Sequence, residues 1–152
     1  MNSKVQKEAI RNPHVPILFV DDDPLAHELI KKYLRDWDIQ FAYSAEDALS
    51  ILNRENILIV MTDIMMPGMD GITLLREIKK TRGLIQVIIV SASEELEDLM
   101  NALEVGANDF ILKPLKKKDI EGALENSMAK ITRWKTTMKT LFQKRRKTTN
   151  GN

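Results

Sequence analysis

The chain contains no cysteine, so neither a disulfide framework nor a thiolate metal site can form, and a cytoplasmic setting is favoured over a secreted one. Its apolar runs are all far shorter than the ~20 residues a membrane-spanning helix needs. The opening stretch MNSKVQKEAIRNPHVP has no apolar segment of the kind that marks a secretory signal. No motif recurs at a period of about 20 to 50 residues, which excludes a solenoid or propeller, and no segment is low in complexity. A net charge of +1 suggests balance, but the two signs are segregated. Residues 1–114 carry 12 Lys or Arg against 19 Asp or Glu, whereas residues 115–152 carry 11 against 3 and end in the cluster Lys144, Arg145, Arg146, Lys147.

What is present is one core's worth of apolar residues, 43% of 152, enough for a single domain. Short Ile- and Val-rich runs at Ile17 to Val20, Ile39 to Tyr43, Ile57 to Met61, Val87 to Val90 and Asp109 to Leu112 read as buried parallel strands. Between them lie stretches of helical period near 24–36, 45–54, 71–81 and 94–104, with a last helix from about Asp119. Pro24 in a first turn, Ser44 with Asp47 three residues on, Ser93 before Glu94 and Glu95, and Gly106 as a stop punctuate them. The alternation predicts an α/β fold with a parallel sheet covered on both faces. The expected divisions are an N-terminal extension over 1–14, a core domain over 15–130 and a basic helical tail over 131–152.

Each strand of the centre stops at a polar residue: Asp21, Asp22 and Asp23 after ILFV, Asp63 after ILIVMT, Ser91 after VIIV, and Lys113 before Pro114. Strand carboxyl ends form the ligand crevice of open α/β sheets. Carboxylates converging there repel by about 4 kcal/mol per pair at 4 Å and an effective dielectric near 20, so a cation is required. With only oxygen ligands on offer, Mg²⁺ fits best, held by one or two carboxylates and completed by water and a phosphoryl oxygen. Lys113 adds a second positive charge. A carboxylate so placed is a competent nucleophile toward a phosphoryl group, whose oxygens then meet the metal, the ammonium and the Ser91 hydroxyl.

The set VDDDP, MTDIMMPGMDG, VSA and FILKP, in that order and spacing, resembles the CheY-like receiver domain of two-component response regulators over about residues 15–130. The resemblance implies a doubly wound, flavodoxin-like sheet in strand order 2-1-3-4-5, and a phosphorylation switch rather than a metabolic enzyme, one that accepts phosphate from a histidine kinase or phosphotransfer protein. Carried over residue by residue, it makes Asp63 the phosphoacceptor, Asp22 a direct metal ligand, Asp21 an acid acting on the metal through water, and Met65 the donor of a backbone carbonyl to the metal. It makes Ser91 the switch hydroxyl, Phe110 the aromatic that turns with it, and Lys113 the phosphate partner, preceding a cis Pro114. Asp23 reads as a solvated loop acid, the methionines at 65, 66 and 69 as loop packing, and His14 and His27 as unrelated to catalysis.

A phosphohydrolase of the haloacid dehalogenase type is the competing reading, with Asp21 and Asp23 as its acid pair. It needs another acidic pair at a later strand end, and leaves Asp63 unexplained. For the output, a stand-alone relay protein, a dimeric adaptor and a fragment of a larger regulator stay open. Leu124, Ile131 and Met138, interleaved with Ile120, Ser127, Trp134 and Leu141, form an a/d seam that predicts an extended last helix and a homodimer. A direct DNA contact lacks any recognition-helix motif.

Overall fold

A computed structural model describes residues 14–151. The expected N-terminal extension, His14 apart, lies outside them. The elements run β1 (Ile17–Val20), α1 (Pro24–Tyr33), β2 (Ile39–Ala42), α2 (Ala45–Arg54), β3 (Ile59–Thr62), α3 (Gly71–Thr81), β4 (Gln86–Ser91), α4 (Leu96–Val105), β5 (Asp109–Leu112) and α5 (Lys117–Thr149). All four strand pairings are parallel, in the order β2-β1-β3-β4-β5. The expected doubly wound architecture is therefore present.

Both faces of the sheet are buried because alternate side chains of each central strand point to opposite sides. Leu18, Val20, Val60, Val87 and Ile89 pack under α2, α3 and α4, while Ile17, Phe19, Ile59, Met61, Ile88 and Val90 pack under α1 and α5. This is why the strand runs are continuously apolar instead of alternating.

Several boundaries differ from the sequence expectation. α1 stops at Tyr33 instead of residue 36: the Leu34 N–H still reaches the Ile30 carbonyl, after which Trp37 N–H closes a turn onto Leu34. α4 begins at Leu96, not 94, and Ser93 is not its cap. The Ser93 hydroxyl instead accepts from Glu95 N–H and donates to the Asp98 carboxylate, a local alternative that competes with helix entry. Gly106 ends α4 in the left-handed conformation, φ 110°, as a C-terminal glycine should. α5 starts two residues earlier than expected and runs unbroken to Thr149. Its buried face, Ile120, Ala123, Leu124, Ser127, Met128 and Ile131, is spent by residue 131. From Thr132 to Thr149 every side chain is exposed, a free helix about 27 Å long at 1.5 Å per residue.

Candidate functional site

The acidic turn after β1 is held from every side. The Asp21 N–H donates to the Ala42 carbonyl (3.1 Å), its Oδ1 accepts from Asp23 N–H (2.9 Å), and its Oδ2 accepts from Lys113 Nζ (2.9 Å). Its backbone carbonyl accepts from His27 Nε2 at 2.6 Å. A carbonyl only accepts, so Nε2 carries the proton. His27 is fully buried, stacked flat on Tyr43 with centroids 4.1 Å apart and set edge-on to Phe19. The sequence reads it as unrelated to catalysis; in the fold it braces the turn that presents Asp21. Asp23 is solvent-exposed, but its carboxylate is not idle: it caps α1 by accepting from Leu25 N–H at 2.9 Å. An Asp directly before a proline in the first helical turn is the sequence signal that identifies such a cap.

Asp63 follows β3 directly. Its Oδ1 accepts from Ile64 N–H (2.7 Å) and its Oδ2 from Lys113 Nζ (3.0 Å). Behind it, Gly71 opens α3 so close to the strand end that an added Cβ would stand 1.9 Å from the Asp63 carbonyl oxygen. The glycine is there because nothing larger fits. The loop between them is clasped from α2, where the Glu46 carboxylate accepts from Met69 N–H at 3.1 Å beside Gly68, whose φ is 77°. Its own backbone N–H and that of Met69 hold the Glu46 carboxyl below the usual range. Met65 projects into solvent, 73% exposed, whereas Met66 is buried and Met69 packs against the core.

Lys113 and Ser91 arrive from the other side. Ser91 ends β4, fully buried, with its Oγ accepting from Ser93 N–H. Thr62 pairs with Ile89, so Asp63 one step on and Ser91 two steps on leave the sheet at the same edge. Lys113 follows β5 and its N–H donates to the Ser91 carbonyl (2.8 Å), ahead of a cis bond to Pro114. Burial alone would push the Lys113 ammonium down, but hydrogen bonds to Asp21 and Asp63, with their charges, outweigh it and hold the group above its ordinary value. Phe110, one residue along β5 from its start, is half-buried against the core on the face that α2, α3 and α4 cover, and pairs with Ile89.

Asp21, Asp22, Asp63 and Lys113, named from the sequence, thus converge in three dimensions. One carboxylate oxygen from each of Asp21, Asp22 and Asp63 lies within 4.8 Å of the other two, close enough for one hard divalent cation to bind them, and the donor set is all oxygen. Asp21 and Asp63 are 1% and 8% exposed, while Asp22 faces solvent, which leaves the approach open on one side. The acid pair that a haloacid dehalogenase-type enzyme would need is missing from the later strand ends among the described residues: Asp119 and Glu121 sit on α5.

Residues 17–125 match the response regulator receiver domain family. The transcriptional regulatory protein MalR of Bacillus subtilis is 35% identical over 116 residues, covering 74% of this chain and 49% of MalR. The transcriptional regulatory protein ZraR of Salmonella typhimurium is 35% identical over 117 residues, covering 76% of this chain and 26% of ZraR. The chain therefore spans about half or less of the length of these relatives. Among solved structures, a CheY-like receiver domain protein from Methanospirillum hungatei superposes with a TM-score of 0.74 at 27% identity, covering 78% of this chain and 96% of that one. A receiver domain protein from Clostridium thermocellum gives 0.73 at 31% identity, covering 81% and 98%. A doubly wound sheet, three carboxylates and a lysine at its carboxyl edge, and this family match together make the chain a response regulator receiver domain, a phosphorylation switch of two-component signal transduction.

Proposed function

We propose that Asp63 is the phosphoacceptor, that it takes its phosphoryl group from a histidine kinase or phosphotransfer protein in the cytoplasm, and that the signal leaves through a changed protein contact. The observation that carries this reading is Lys113 Nζ, bonded at once to Asp21 Oδ2 and Asp63 Oδ2. The lysine marks where anionic oxygens gather, and its bond to Asp63 can pass to a phosphoryl oxygen once one is attached there.

Ile64 N–H fixes Asp63 Oδ1; Oδ2, released by Lys113, would attack phosphorus in line while the P–N bond to the donor histidine breaks and its imidazole takes up a proton. Asp22 and Asp63 would hold Mg²⁺ directly with the Met65 carbonyl, and Asp21 would act through water. When bound, Mg²⁺ supplies positive charge to the transferring phosphoryl oxygens. The Ser91 hydroxyl, which ends β4 at the same edge, would donate to a phosphoryl oxygen, and Phe110 would turn into the space it leaves. Self-catalysed phosphorylation and slow hydrolysis are the only chemistry in this reading. DNA contact forms no part of this reading, since no recognition-helix motif accompanies the basic tail.

Incubating the chain with a small phosphodonor, with and without Mg²⁺, tests the assignment by intact mass and peptide mapping. The expected result is one added phosphoryl group on the Asp63 peptide, dependent on the metal and lost in Asp63→Asn. Label that persists in Asp63→Asn, or that forms equally without metal, overturns it.

A further inference from the structure

The exposed part of α5 has two properties that select its partner. Trp134, Met138, Leu141 and Phe142 are exposed by 51, 39, 57 and 62%. At about 100° per residue they stand within about 100° of one another, a single apolar stripe. Residues 131–152 also contain seven Lys or Arg and no Asp or Glu.

The charge rules out self-pairing as the natural use of the stripe. With Ile131 and Met138 at a, and Trp134 and Leu141 at d, the flanking e and g positions include Lys130, Lys135 and Lys144, and the next a position is Arg145. Because the segment has no acid, no register of two copies, parallel or antiparallel, opposes a positive side chain with a negative one. An anionic occupant is required. An acidic groove meets one side of a helix, yet Lys144, Arg145, Arg146 and Lys147 succeed one another by about 100° and point to all sides. Nucleic acid rewards the charge and offers bases to Trp134 and Phe142, but gives Met138 and Leu141 no apolar phase to enter.

A charged lipid surface rewards both features. It attracts every side chain within a Debye length of about 10 Å at 0.1 M salt, comparable to the helix diameter, and its acyl boundary takes up Trp, Phe, Leu and Met. Thr136, Thr140, Thr148 and Thr149 already donate their hydroxyls to carbonyls one turn back at 3.0 Å, so they carry no unmet donor into that interface. We propose that residues 132–149 lie as an amphipathic basic helix on an anionic lipid surface, bringing the receiver to a membrane face. No described helix is long and apolar enough to cross one, so the mode is peripheral.

Co-sedimentation of the full chain with vesicles of phosphatidylcholine alone, or with about 30% phosphatidylglycerol added, is the test. Pelleting should require the anionic lipid and weaken as salt rises. Leu141→Asp, and separately Lys144→Glu combined with Arg146→Glu, should each weaken it by about tenfold or more. All three positions are exposed, so the urea midpoint of each variant should match the parent and separate lost binding from lost fold. Pelleting that is equal on both vesicles, or that survives Leu141→Asp, overturns the proposal. So does a chain that stays in the supernatant throughout, whether sedimentation then finds it as a dimer or as a monomer.

Discussion

At Lys113, burial and charge pull in opposite directions and charge wins, which fixes the sign of a pH experiment. The folded-state value lies above the ordinary 10.5, so its contribution to stability is complete below 10.5 and fades as pH rises through the folded value. Urea unfolding of the parent and of Lys113→Gln should differ at neutral pH, and the gap should close only in strongly alkaline solution. Gly71 offers a sharper steric test. Gly71→Ala must push a methyl against the Asp63 carbonyl, 1.9 Å away in the native backbone, and should cost about 2 kcal/mol or more. Gly122, inside α5 with open space around it, is the control: Gly122→Ala should stabilise by up to about 1 kcal/mol. Met65 and Ser93 lie two residues beyond Asp63 and Ser91, the positions that in the resembled receivers orient a water attacking the phosphoryl group. Here the Met65 thioether is a poor partner for water, and the Ser93 hydroxyl is already engaged by Asp98 and Glu95. Neither can orient an attacking water well, so Met65→Asn should shorten the lifetime of the phosphorylated form, read by loss of label over time.

Elements carry the consequence outward from these residues. β4 and β5 deliver Ser91 and Phe110 on adjacent strands, with Ile89 paired to Phe110 and Ser91 to Leu112, the register through which the proposed switch would couple hydroxyl and ring. Beryllofluoride, which mimics a phosphoryl group on Asp63, should move NMR resonances of Phe110 and of α4 along with those of Asp63, and Ser91→Ala should uncouple them. A population shift of this kind needs a bistable element, and α4 suits that role. Among the helices up to α4 it buries the least, with Ala102 alone fully enclosed, and its entry has no side-chain cap. The other three are capped by Asp23, Ser44 and Asp70.

For the molecule as a whole, the boundary between packed domain and free helix falls at Ile131, the last buried residue of α5. A chain ending at Thr132 should keep the parent's urea midpoint, whereas one ending at Lys130 loses a buried isoleucine side chain and should be weaker by about 1 to 3 kcal/mol. The sequence by itself determined the strand cores, the alternation with helices, and the residue types at the strand ends, because burial on both faces forces unbroken Ile and Val runs against which the polar residues that end them stand out. It was blind to contacts that exist only once the chain has folded back on itself. Glu46 clasps Met69 across 23 positions, His27 finds the Asp21 carbonyl only when α1 folds back over the end of β1, and Gly71 shows its purpose only beside Asp63. The meeting of Lys113 with Asp21 across 92 positions and with Asp63 across 50 was legible only through the motif set as a whole. Local propensity carries no record of such approaches. Only the parallel pairing of β1, β3, β4 and β5 sets their ends along one edge and turns four separate polar residues into a single charged site.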